Sequence, residues 1–113
     1  MRDAFLNTIQ DLASDNNRIM LVSGDAGSDP FKNFKSQLPD QFINAGISES
    51  NMITASAGLS REGFIPFTYA IGAHIIYRPY EQIRNDLCLN NMNVKIVSVG
   101  AGLHYADHGP THQ

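Results

Sequence analysis

Positive charge is scarce in this sequence: 8 Lys and Arg stand against 11 Asp and Glu, a formal net charge of −3. No cationic surface is therefore expected for a phosphate backbone, and general nucleic-acid binding is disfavoured. Cysteine is nearly absent. The single Cys88 cannot close an internal disulfide or supply a cysteine zinc cluster. Within Leu87-Cys88-Leu89 it is expected as a small core residue. Also missing is any apolar run near the ~18 residues that a membrane span requires. The opening MRDAFLNTIQ has no signal-peptide apolar stretch. There is no internal repeat, low-complexity segment or linker. Together these absences give the expectation of a soluble cytoplasmic domain that engages neither nucleic acid nor membrane.

What is present is enough for one folded domain. At 113 residues with 42% hydrophobic and 17% charged side chains, the chain can bury a genuine core. Arg2 to Ser14 carries Ala4, Phe5, Ile9, Leu12 and Ala13 at helical spacing. RIMLVS, from Arg18 to Ser23, is too brief for a helix and reads as a buried strand. GDAGSDP then offers turn and helix-start chemistry, with Asp29 as cap and Pro30 in the first helical position. A short helix is expected from Phe31 to Leu38, closed by Pro39, followed by a strand at Gln41 to Ala45. Ser48 to Arg61 suits a helix packed tightly on a sheet, ending before Gly63. Phe64 to Ala70 reads as a third strand in which Pro66 suggests a start or an edge. Tyr77 to Asn91 reads as a longer helix and Val94 to Val99 as the fourth strand. Alternating strands and helices predict an α/β fold, a parallel sheet with helices on both faces. Ligands in such folds sit beyond the carboxyl ends of the strands, here the loops after Gly24, Gly46, Ile71 and Gly100.

Several motifs fall in those loops. GISESNM places Glu49 just inside a helix of otherwise small, apolar character. It either complements the helix dipole, worth about a few tenths of a kcal/mol, or is a carboxylate aimed at a heterocycle's ring nitrogen across the crevice. HYADHGPTH carries His104, His108 and His112 at four-residue steps with Asp107 among them. A continuous helix would align these as a zinc site, but Gly109 and Pro110 break it, and a loop of donors facing a substrate is the stronger expectation. His74 stands alone in an apolar run, where a satisfied structural histidine is the default. Gly24-Asp25-Ala26, with Asn51 further on, only partly imitates a GDG…N diphosphate grip, and no P-loop or GxGxxG spacing occurs. Arg78, Glu81 and Arg84 fall on one turn of the expected long helix, as a solvated charge cluster or otherwise.

Taken together, RIMLVSGDAG, FINAGISESNM, AGLSREGFIPFTYA, YEQIRND and KIVSVGAGLHYADHGPTHQ resemble the pyrimidine-binding domain of the transketolase family, over residues 1–113. The resemblance implies a transferase that uses thiamine diphosphate to move a ketol or acyl group between small carbonyl substrates. It implies that Glu49 hydrogen-bonds N1′ of the aminopyrimidine, favouring the imino tautomer that makes the ylid. It places Asp25, Ile71 and His74 around the cofactor, and His112 with His108 at the substrate. Four positions depart from the family pattern. Ile71 and His74 stand where aromatic residues usually stack, Gly100 replaces a histidine before AGL, and His108 replaces an acid before GPTHQ. The resemblance further implies Mg²⁺ bound mainly by a separate diphosphate-binding domain or subunit, and a dimeric or hetero-oligomeric assembly, because that domain and the family's third domain are not in this chain. Two alternatives are of other classes: a non-catalytic assembly or regulatory module, and a metallohydrolase built on the histidine loop.

Overall fold

Four short strands carry the apolar runs of the sequence: β1 (Ile19–Gly24), β2 (Phe42–Gly46), β3 (Ile65–Ile71) and β4 (Lys95–Val99). In the computed structural model, which describes residues 1–25 and 29–113, they form one sheet in the order β2-β1-β3-β4, every pair parallel. β1 is buried along its whole length because it has a strand on each side and helices over both faces. Its alternating side chains divide the core. Ile19 and Leu21 pack with Ile9 and Ala13 of α1 (Arg2–Asp15), with Phe34 of α2 (Lys32–Gln37), and with Phe31 and Tyr69. Met20 and Val22 pack with Met52 of α3 (Glu49–Arg61), Ala70 and Ile75 of α4 (Gly72–Tyr77). Each such fully buried side chain contributes about 1.5–3 kcal/mol of transfer free energy. The expected α/β architecture with a helical layer on each face is therefore the observed one.

A buried amide ties α1 to this sheet. Gln41 Nε2 lies 3.0 Å from Ala13 O, 3.1 Å from Asn16 O and 2.9 Å from Ile19 O, satisfying carbonyls at the end of α1 and the start of β1. Between Ser23 and Gly24 the pairing of β1 with β2 slips, so that Gly24 faces Gly46. Asp25 N–H then donates to Gly46 O at 3.1 Å, which fixes the backbone where β1 leaves the sheet.

Several local expectations are corrected. β3 is an inner strand, so Pro66 marks a start and not an edge. Ile65 N–H donates to Arg18 O on the β1 side, so position 66 faces the β4 side, where pairing begins only at Phe67; no ladder bond is lost. α2 has no side-chain cap: Phe31 precedes it, and Asp29 instead pairs with Lys35 Nζ at 2.9 Å. Of the GDAGSDP turn, Ala26 to Ser28 lie outside the described residues. The loop expected after β3 is the helix α4, and the long helix expected from Tyr77 is interrupted by Arg78-Pro79. The chain resumes as α5 (Tyr80–Gln82), followed by wider, π-type winding over Ile83–Cys88. That winding turns Leu87 into the core and leaves Cys88 exposed, so the cysteine is not a core residue. Among the described residues no helix is long and apolar enough to cross a membrane.

Candidate functional site

The chain passes from β1 to β2 on one side and then crosses back to set β3 on the other side of β1. The carboxyl ends of β1 and β3 thus open a crevice where the winding reverses, the place at which such sheets take ligands. It is lined by Gly24, Asp25, Glu49, Ala70, Ile71 and His74, among others, and encloses about 40 Å³, room for a few waters. The slip at Gly24 and its missing side chain shape one wall. A Cβ there would sit 3.4 Å from Ala70 Cβ and 3.9 Å from Glu49 Oε1.

Glu49 is the buried carboxylate of this crevice. It is the first residue of α3, so its carboxylate complements the helix N-terminus, and it also lines the crevice. Although only 6% exposed, the carboxylate has separate environments for its two oxygens. Oε2 accepts from Arg78 Nη1 at 2.9 Å, while Oε1 lies 3.8 Å from His74 Nδ1.

The far rim is built by residues 102–112, wound as 3₁₀ turns with non-helical backbone at Tyr105 and Gly109. The three histidines at four-residue steps therefore do not share a helix face, and His104 packs on Tyr105 instead, with ring centroids 4.8 Å apart. His112 and His108 do come together, at 4.9 Å, and His112 lies edge-on to His74 at 4.8 Å. His74 Nε2 is 3.1 Å from Thr111 O, which fastens this segment to α4. The pKa of His112 is lowered from the usual histidine value, first by desolvation and then by His74, His108 and Arg78 nearby. Among the described residues no group of three or more His, Cys, Asp or Glu is placed to hold a metal ion.

Tyr105 explains one sequence departure. Gly100 has φ +65, and a Cβ there would meet the Tyr105 ring, with Cδ2 and Cζ each 2.8 Å away. The tyrosine ring occupies the volume that a side chain at position 100 would need.

The structure thus brings Asp25, Glu49, Ile71 and His74 into one crevice, with His112 beside His74 and His108 behind His112. Ile71 is the last residue of β3 and His74 belongs to α4. Three participants are not evident from the sequence. Arg78 leaves the expected charge cluster to reach Glu49, and the signal available was Pro79, which ends helical continuity directly after it. Gly24 and Tyr105 had no sequence signal, because their roles arise from contacts across the fold.

Residues 1–113 match the family described as transketolase, pyrimidine binding domain. The chain is similar to a subunit of the apulose-4-phosphate transketolase of Phocaeicola vulgatus, 36% identical over 98% of this chain and 36% of that protein. It is also 36% identical to a 1-deoxy-D-xylulose-5-phosphate synthase of Shouchella clausii, over 96% of this chain and 17% of that protein. A solved structure described as a split gene transketolase, inactive beta4 tetramer, superposes with a TM-score of 0.79 at 33% identity, covering 86% of this chain and 33% of that one. The chain therefore spans little more than a third, or less, of the length of these relatives.

Proposed function

The chain belongs to the transketolase pyrimidine-binding-domain family, and from that premise we propose that it is the pyrimidine-side component of a thiamine-diphosphate-dependent, transketolase-like transferase. The activity is transfer of a ketol or acyl group between small carbonyl substrates. Residues 1–113 form its pyrimidine-binding domain, and a second domain or subunit supplies the grip on diphosphate and Mg²⁺ in an oligomeric unit. The observation that carries this reading is the buried Glu49 carboxylate at the sheet's reversal point, with Oε2 paired to Arg78 and Oε1 directed to the crevice.

The donor set fits the aminopyrimidine end of the cofactor. A buried carboxylate can share a proton with a ring nitrogen, the glycine at position 24 allows close approach, and Ile71 and His74 offer an aliphatic and an imidazole face. The same set does not fit the diphosphate end, because the crevice presents no cluster of metal ligands among the described residues. When bound, thiamine diphosphate supplies the carbanion chemistry, and the protein supplies orientation and proton handling. Glu49 holds the proton at Oε1, Ile71 and His74 orient the heterocycle, and Asp25 lines the side of the crevice formed by β1. His112, partly buried between His74 and His108, offers the substrate an imidazole whose proton affinity is lowered by desolvation and by its neighbours, with His108 further out.

Calorimetric titration of thiamine diphosphate with Mg²⁺ tests this, on the chain alone and then with its diphosphate-binding partner. Binding is expected only with the partner, and Glu49→Ala is expected to lower turnover by about a hundredfold or more. No binding to a verified folded complex overturns the catalytic reading and leaves an assembly module.

A further inference from the structure

Glu49 is held in place by a residue that does not line the crevice. Arg78 follows α4, its backbone lies in the α region (φ −64, ψ −50), and Pro79 comes next. A following proline disfavours that conformation. Here it is secured from α3, where the Ser50 hydroxyl donates to Arg78 O at 3.3 Å. One residue earlier on the same helix, Glu49 Oε2 receives Arg78 Nη1 at 2.9 Å. A bond to the Arg78 main chain and a side-chain ion pair thus lock Arg78 to the first turn of α3.

The two ends of this pair sit differently. Glu49 is 6% exposed and lines the crevice, whereas the Arg78 side chain is 45% exposed and approaches from outside it. A guanidinium is a permanent cation with fixed donors, so one carboxylate oxygen is committed and the side chain loses its freedom to rotate. The other oxygen is left facing Gly24 and His74, in the space a ligand would enter. The other ionisable groups lining the crevice are Arg2, Asp25, Tyr69, His74 and Tyr105. Of these, His74 stands 3.8 Å from Oε1, beyond hydrogen-bond distance, so the bond from Arg78 is what holds the carboxylate by Oε2.

We infer that Arg78 is a positioning residue for Glu49: it anchors Oε2 from outside the crevice so that Oε1 is presented to the ring nitrogen of the bound heterocycle. The inference rests on the proposed function. It assigns Arg78 no contact with cofactor or substrate.

The test is a double-mutant cycle on the complex of this chain with its diphosphate-binding partner. Wild type, Arg78→Gln, Glu49→Gln and the double variant are titrated with thiamine diphosphate and Mg²⁺ by calorimetry, and turnover is measured in parallel. Arg78→Gln is expected to weaken binding several-fold and to lower kcat about ten- to a hundredfold, the scale of a misplaced reacting group. In the Glu49→Gln background the same change is expected to alter neither quantity, since nothing remains to be positioned. Arg78→Lys, which keeps the charge without the planar fork, is expected to retain part of the activity. Added guanidinium ion is expected to restore part of the turnover of Arg78→Ala, because the site is open to solvent from that side. Equal losses in both backgrounds place the role of Arg78 elsewhere and overturn the inference. So does an Arg78→Gln variant indistinguishable from wild type. If Glu49→Gln itself leaves binding and turnover unchanged, the functional reading fails first, and this inference falls with it.

Discussion

Replacing Gly100 by alanine should detach the rim of the crevice while leaving the sheet intact. Two costs combine at this position. The backbone has φ +65, which an L side chain tolerates at a cost of about 1–2 kcal/mol. In addition, the new Cβ would collide with the Tyr105 ring, whose forced displacement costs about 1–3 kcal/mol by the scale of overpacked sites. Gly102 is an internal control. It has nearly the same backbone, φ +67, but a Cβ there would meet nothing within 4 Å. Gly102→Ala therefore registers the backbone cost alone, and the difference between the two variants isolates the ring. Amide exchange across residues 102–112, followed by mass spectrometry, reads this local loss, and urea denaturation reads the share that reaches the whole domain. Exchange in Gly100→Ala should be faster than in Gly102→Ala by about fivefold or more, corresponding to at least ~1 kcal/mol. Adding Tyr105→Ser should erase that gap. Equal protection in the two alanine variants, or a gap that survives loss of the ring, refutes the steric argument.

Met52 is wholly buried between α3 and the sheet, so Met52→Ala should cost about 2–5 kcal/mol in urea denaturation, as cavity-forming core truncations do. Gly72→Ala should cost about 1–3 kcal/mol, because its Cβ would come within 2.9 Å of Ser98 Oγ and 3.1 Å of Ala101 Cβ. Ser98→Gly should recover part of that loss. By NMR, His112 should titrate below the usual value of 6.5, and His74→Gln should move it partway back up. The folded state favours the neutral imidazole. The stability His112 contributes is therefore present above its ordinary pKa and is lost as pH falls through the lowered one. Acid should loosen residues 102–112, and protection there, corrected for the intrinsic pH dependence of amide exchange, that rises as pH falls contradicts this.

The sheet and its two helical layers were legible because apolar runs, glycine and proline punctuation and small-residue spacing act locally. RIMLVS reads as a buried strand by its brevity and apolarity, which β1 is, and GISESNM places Glu49 just inside a helix, where α3 begins. Legibility failed where a tertiary neighbour decided the outcome. Pro66 sits in an inner strand because its partner on the β4 side starts one residue later. Cys88 faces out because π-type winding shifts the inward position to Leu87. Arg78 was grouped with Glu81 and Arg84 by spacing, but a helix break at Pro79 gave it to Glu49, 29 positions earlier. The glycine at position 100 was visible as a departure, and its cause was not, since that cause is an aromatic ring five residues on.

The strand order has a kinetic consequence. β1 lies between β2, the next strand made, and β3, which starts only at Ile65. Ser23 and Tyr69, partners in the β1–β3 ladder, are 46 positions apart, and the Thr111 carbonyl that meets His74 is a further 37 positions along the chain from that histidine. Non-local pairings of this kind are slow to form, because the closure of long loops precedes the contacts that reward it. During synthesis, β1, β2 and the start of α3 emerge with no second wall to face. The crevice is accordingly expected to form late in folding, since its second wall and far rim come from the last strands and from residues 102–112.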